Sequence, residues 1–189
     1  MGGLTATLAS GNVHKLEELR AALPGWELSL LDAADFPAEE GDSYYANAAA
    51  KARFGRTESR DGLWVLGEDS GVEAVALGGR PGLESARWAA DGVARLLEEL
   101  EGAGDRRARY VCELVCLSPA SEEFRGTGVL EGHIAEERRG SEGFGYDPIF
   151  VPDGEERTVA ELGNEWKSRR SHRARAARAL VAAIGEAGG

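Results

Sequence analysis

Cysteine is scarce, proline is sparse, long apolar runs are missing and basic residues are outnumbered, and each shortage closes off a class of protein. Cysteine occurs only at Cys112 and Cys116. These lie four apart in the alternating stretch 109–117, which on a strand separates their Cα atoms by about 13 Å, too far for a disulfide. A disulfide scaffold is excluded, and free thiols fit a reducing compartment. No apolar run approaches the roughly 18 residues of a membrane helix, and no basic leader precedes an apolar stretch. The expectation is a soluble, cytoplasmic protein with no membrane partner. The prolines are scattered, with no internal repeat, low-complexity block or Pro/Ser linker, so residues 1–189 read as a single domain. That length buries about two-thirds of the unfolded surface. Against 33 Asp and Glu there are 22 Lys and Arg, a net charge of −11. Such a surface repels a polyanion, so no nucleic acid polymer is expected as a partner. A small phosphorylated ligand meets only one cleft, and basic residues are dense between Lys167 and Arg178. That cluster reads equally well as a solvated helix face.

The patterning that is present mixes strands and helices. Leu4 to Ala9 alternates as a strand does, Ser10-Gly11-Asn12 breaks it, and Leu16, Leu19 and Leu23 recur at helical spacing. Ser43 can cap a second helix from Tyr44 to about Phe54, on which Asn47 and Lys51 share a face. Leu63 to Leu66 is a continuous apolar run, read as a buried strand that ends in Glu68-Asp69-Ser70-Gly71. Val93 to Leu100 predicts a short helix, 109–117 a strand, and 124–134 a bent or bulged hairpin region rich in glycine. Ser171 is expected to cap a last helix with Ala177, Leu180, Val181 and Ile184 as its apolar stripe. The sum is α/β with a central, partly antiparallel sheet.

Three places could carry chemistry. The loop Ser10-Gly11-Asn12-Val13-His14-Lys15 joins a strand to a helix N-terminus, where free N–H groups and the dipole favour an anion; a plain turn explains the same residues. Glu68 and Asp69 at a strand end would repel unless a cation intervenes, and Mg²⁺ suits one or two carboxylates, waters and substrate phosphates. Glu39 and Glu40 are candidates for a further ligand, or ordinary loop acids. Lys167, Arg169, Arg170, His172 and Arg173 bracket Ser171, and cations just before a helix start are more comfortable around an anion. Gly67-Glu68-Asp69-Ser70-Gly71 is not a nucleophile elbow, no Gly-Lys-Ser/Thr phosphate loop occurs, and the three histidines lack zinc-site spacing.

Taken in order, Ala9 to Lys15, Glu40 to Tyr44 with Asn47 and Lys51, Glu68 to Gly71, Leu77 to Gly82, Ser85 to Arg87, Gly143 to Phe150, and Lys167 with Ser171 to Arg173 resemble the inosine triphosphate pyrophosphatase family across nearly the whole chain. The resemblance implies a two-lobed α/β fold, with a central mixed sheet flanked by helices and a cleft between lobes, usually as a homodimer. It implies hydrolysis of non-standard purine nucleoside triphosphates (ITP, dITP, XTP) to the monophosphate and pyrophosphate, with Mg²⁺. The triphosphate would meet Ser10, Gly11, Asn12, Val13, His14, Lys15, Lys51 and Ser70. Glu40, Glu68 and Asp69 would serve the metal, Asp69 also as general base. Phe144 would stack on the purine, while Gly145, Tyr146, Asp147, Lys167, His172 and Arg173 recognise it. The chain departs from the family at Glu68, where aspartate is usual, at Arg170, where an apolar residue is common, and in a shorter segment after Trp88. Two competing expectations are a related pyrophosphatase acting on other nucleotides and a non-catalytic nucleotide-binding regulator.

Overall fold

The computed structural model describes residues 4–59 and 62–187. Along the chain run β1 (Thr5–Leu8), α1 (Val13–Ala22), β2 (Glu27–Leu30), α2 (Tyr44–Glu58), β3 (Trp64–Ala74), α3 (Gly92–Glu99), β4 (Arg107–Leu117), β5 (Glu123–Ile134), β6 (Phe150–Pro152), α4 (Val159–Arg170) and α5 (His172–Ala187). The six strands form one sheet in the order β2-β1-β3-β4-β5-β6. β1 pairs parallel with β2 and β3, whereas β5 and β6 are antiparallel. The sheet is mixed and carries helices, as the sequence pattern implies.

By contacts the chain divides into two compact units, and β3, β4 and β5 each contribute residues to both. The first unit takes residues up to Asp69, Cys112–Gly128 and the chain from Arg173. Its core places Leu16 and Leu19 of α1 with Ala176, Ala177 and Leu180 of α5 against Leu8, Leu66, Cys112, Leu114 and Cys116. A separate cluster joins Ala48, Ala49 and Ala52 of α2 to Val115 and Leu117. Alternation along β4 therefore sends Cys112, Leu114 and Cys116 to α1 and α5, and Val115 and Leu117 to α2. The second unit, Ser70–Val111 and Val129–His172, packs Val72, Trp88, Leu96, Tyr110, Leu130, Ile134, Tyr146 and Phe150 together.

Local chemistry explains the element starts. Asn12 caps α1, its side chain accepting from the His14 and Lys15 amides. Ser43 caps α2 through the Ala46 amide, and Asp91 caps α3 through Ala94. Thr158 and Glu161 form a reciprocal capping box at α4. Two glycines are dictated by close approach. A Cβ on Gly67 would lie 2.0 Å from the Ala48 carbonyl oxygen, so α2 rests directly on β3. A Cβ on Gly126 would lie 2.2 Å from the Ala176 carbonyl oxygen, so α5 rests on β5 in the same way.

Four expectations change. β3 does not end at Leu66 but continues to Ala74, so Glu68 and Asp69 lie within the strand rather than at its tip. β5 is not bulged; its burial alternates regularly over 12 residues, and its glycines serve packing. A helix absent from the sequence reading, α4, carries Lys167, Arg169 and Arg170 in its last turn, where cations complement the dipole instead of opposing it. Ser171 stands directly before α5, as expected of its cap, and is also the C-cap of α4, while on α5 Val181 is 44% exposed rather than part of the buried stripe.

Gly67→Ala should lower stability by about 1–3 kcal/mol or more, the usual range for overpacking against backbone. Gly104→Ala, where no atom lies within 4 Å of an added Cβ, is the control and should change little. Urea unfolding of both variants measures the difference.

Candidate active site

Because strand side chains alternate, neighbours Glu68 and Asp69 point to opposite faces of β3. Glu68 is 0% exposed, yet it is charged. Its Oε1 accepts from Arg173 Nε at 3.1 Å and Nη2 at 2.9 Å, and Lys15 Nζ lies 2.6 Å from Oε2. Arg173, 2% exposed, also donates to Glu18 of α1. Burial alone would push the Glu68 carboxyl up, but Lys15 and Arg173 hold it well below the ordinary glutamate range. On the same face the buried Cys112 thiol donates to Glu68 Oε1 at 3.5 Å, and burial with the adjacent carboxylate raises it well above the usual thiol range. That thiol is inert at neutral pH.

The opposite face belongs to Asp69, which is 3% exposed. Lys51 Nζ donates to Asp69 Oδ1 at 3.0 Å, to the Glu68 carbonyl oxygen at 3.0 Å and to Glu39 Oε1. Asn47 Nδ2 donates to Asp69 Oδ2 at 3.0 Å, while Asn47 Oδ1 accepts from the Gly41 amide at 2.8 Å. A single amide side chain thus ties the acidic loop to the strand carboxylate. Gly41 is required there, since a Cβ would sit 2.6 Å from Asn47 Oδ1. Asn47 and Lys51, one helical turn apart on α2, reach the same carboxylate as their shared face implies. Burial raises the Asp69 carboxyl, against the pull of Lys51 and Asn47, and Glu39 adds to the rise. Burial works against the Lys51 ammonium too, but Asp69 and Glu39 outweigh it and its pKa is raised. The arrangement offers a buried carboxylate poised to accept a proton.

The second unit holds a separate constellation. Asp147 Oδ2 accepts from Lys167 Nζ at 2.5 Å and from the Phe144 amide at 2.9 Å, and Asp147 Oδ1 accepts from the Tyr110 hydroxyl at 3.2 Å. Lys167 Nζ also lies 4.9 Å from the centroid of the Phe144 ring. The His172 ring stacks on Tyr110 at 4.4 Å and 10°. Gly143 at φ 78° keeps the turn open, because a Cβ would meet Asp147 Oδ2 at 2.2 Å.

Set beside the sequence expectations, the structure joins Lys15 to Glu68 and Lys51 to Asp69, and gathers Phe144, Asp147, Lys167 and His172 in the second unit. Ser10 accepts from the Asn12 amide, Gly11 and Val13 are exposed, and His14 lies 3.6 Å from Glu17, so this loop is shaped first by capping. Ser70 is half-buried one position after Asp69, and Gly145 is exposed at φ 61°. Tyr146 points inward and donates to the Ser85 carbonyl oxygen at 3.0 Å. Arg173 ends on Glu68 and Glu18, and Glu40 is exposed while Glu39 takes the position against Lys51. The sequence pattern does not single out Glu18 or Tyr110, and the family resemblance puts Glu40 ahead of Glu39. The i, i+3 spacing from Lys15 to Glu18 is the only signal for the first.

Among the described residues no group of three or more His, Cys, Asp or Glu is arranged to hold a metal. Mg²⁺ does not require one, since it keeps waters and borrows substrate phosphates. Asp69 and Glu39 fit that pattern: both converge on one cation, the Lys51 ammonium, with hard oxygen donors. Glu68 does not, being turned to the other face and taken up by Lys15 and Arg173.

The sequence profile of the Ham1 family matches residues 6–183. This chain belongs to the Ham1 family. The dITP/XTP pyrophosphatase of Deinococcus radiodurans is 42% identical over 187 residues, covering 94% of this chain and 92% of that protein. A Thermus thermophilus enzyme of the same name is 41% identical over 192 residues, covering 96% and 92%. The Staphylococcus aureus Ham1 protein superposes with a TM-score of 0.83 at 32% identity, over 98% of this chain and 100% of that one. A Mycobacterium abscessus structure described as nucleoside-triphosphatase / dITP/XTP pyrophosphatase gives 0.70 at 38% identity, over 95% and 97%.

Glu68→Gln should cost about 3–5 kcal/mol, because Arg173 and Lys15 then remain buried with one partner too few. A depressed folded pKa means that the carboxylate stabilises the fold above its unfolded value and loses that effect as pH falls through the folded one. The stability gap between the wild-type protein and Glu68→Gln, followed by urea unfolding, should therefore be full at neutral pH and close only below the ordinary value of 4.5.

Proposed function

We propose that this protein hydrolyses non-standard purine nucleoside triphosphates, ITP, dITP and XTP, to the monophosphate and pyrophosphate, removing them from the nucleotide pool. The observation that carries this reading is Asp69: a buried carboxylate with a raised pKa, held by Lys51 and Asn47 beside an acidic loop, in a Ham1 chain. Its relatives named dITP/XTP pyrophosphatase support the substrate class. Asp69 takes a proton from the water that attacks the α-phosphorus; the bond from that phosphorus to the bridging oxygen breaks, and pyrophosphate leaves. Asp69 with Glu39 or its neighbour Glu40 would hold Mg²⁺, which would supply charge neutralisation on the phosphates and a more acidic water. Lys51 is a fixed ammonium group that favours the anionic leaving group on the Asp69 face, whereas Lys15 is held against Glu68 on the opposite face.

The Asp147–Lys167 pair, with Phe144 and His172, serves the base. A 6-oxo group accepts a hydrogen bond from such donors, whereas the 6-amino group of adenine cannot, leaving a buried donor unsatisfied. Arg173 acts through Glu68 rather than on the base. The ligand is a free nucleotide and not a nucleic acid, in keeping with the net charge of −11. The working form is a cytoplasmic homodimer; among the described residues no helix is long and apolar enough to cross a membrane.

Pyrophosphate release should appear with ITP and XTP, be weak with ATP and GTP, and vanish when Mg²⁺ is chelated. Asp69→Asn should melt near the wild-type temperature yet turn over ~10²-fold or more slower; near-normal turnover removes Asp69 from the chemistry. Light scattering at micromolar concentration should give twice the chain mass, and a monomer there contradicts the dimer.

A further inference from the structure

Tyr110 belongs to none of the groups assigned above to phosphate, metal or base, yet it touches two of those assigned to the base. Its hydroxyl donates to Asp147 Oδ1 at 3.2 Å, while Lys167 and the Phe144 amide occupy Oδ2. Without that bond Oδ1 loses the phenol's hydrogen bond, and across the broad terminal torsion of an aspartate the group is held less firmly. The face of the Tyr110 ring lies 4.4 Å from His172 with the planes only 10° apart. Phe150, 0% exposed, lies 4.4 Å from the same ring at 37°. Phe150 therefore backs Tyr110, and Tyr110 backs His172. An imidazole makes hydrogen bonds only in its own plane, so a ring held parallel to a core-anchored phenol has its donor direction set in advance.

We infer that Tyr110 is a positioning residue for base discrimination: the hydroxyl orients Asp147, and with it the Lys167 ammonium, while the ring sets the plane of His172. A phenol is needed because phenylalanine supplies only the second function and an aliphatic side chain neither. The inference rests on the proposed preference for a 6-oxo purine.

The experiment compares kcat and KM for ITP and ATP in the full-length wild-type protein, Tyr110→Phe and Tyr110→Leu, with Mg²⁺ present. Tyr110→Phe should raise KM for ITP by ~10-fold and lower the ITP-to-ATP ratio of kcat/KM by a similar factor, the scale of one hydrogen bond to a charged group. Its kcat for ITP should stay within roughly 3-fold, because the Asp69 set is untouched. Tyr110→Leu should lose more of the ratio. A packing role alone would lower the melting temperature and leave both KM and the ratio unmoved; that result in a folded Tyr110→Phe overturns the inference. An NMR measurement separates this from failure of the function itself. The His172 ring proton, assigned with His172→Gln, should be shifted upfield by the Tyr110 ring in the wild-type protein and in Tyr110→Phe, and should lose the shift in Tyr110→Leu. A wild-type enzyme without ITP preference would refute the substrate assignment while this resonance still reported on the geometry, and absence of the upfield shift would refute the stacking role directly.

Discussion

Two adjacent carboxylates inside one strand are the constraint around which the first unit is built. On a loop they would repel across a short distance and require a shared counter-ion. Within β3 the two-residue period sends them to opposite faces, and each acquires its own cations: Lys15 and Arg173 for Glu68, Lys51 for Asp69. Burying either carboxylate alone would be prohibitive. The helices packed against β3 deliver the neutralising charge as well as apolar surface. α1 brings Lys15 and Glu18, α5 brings Arg173, and α2 brings Asn47 and Lys51.

The two faces end in different protonation behaviour from similar ingredients. Glu68 is surrounded by two cations and is driven well below the ordinary range, which keeps it anionic at neutral pH and fits it as a brace. Asp69 shares one cation with Glu39, so burial is not fully offset and its pKa rises. In the proposed function that asymmetry divides labour between neighbouring residues: one anchors, the other exchanges a proton. In the second unit Asp147 accepts from Lys167, the Phe144 amide and Tyr110. In the proposed function its value lies in holding donors still, since selectivity against a 6-amino group depends on donors that cannot swing to rescue a mismatch.

Much of the scaffold is readable from pattern. The opening strand, loop and helix, the Ser43 cap, the common face of Asn47 and Lys51, and the mixed sheet follow from local spacing and capping chemistry. The end of β3 escapes such a reading for a sound local reason: consecutive charges rarely continue a buried strand. What overrides that rule comes from far along the chain, with Arg173 standing 105 residues from Glu68. The same distance hides the destination of Arg173, and α4 goes unseen because its interior carries Gly163 and a polar majority. Between Glu39 and Glu40 local pattern offers no choice and the resemblance favours Glu40, as adjacent loop acids differ only in the direction the backbone turns them.

The amino-acid order by itself determined the residue types of the chemistry, their order along the chain and the family resemblance, because those depend on composition and short-range spacing. Only the tertiary structure decided which carboxylate is a brace and which is free to take a proton. That distinction is set by which face each side chain occupies and how many cations reach it, and charge compensation in a buried site is a sum over partners that the linear sequence keeps apart.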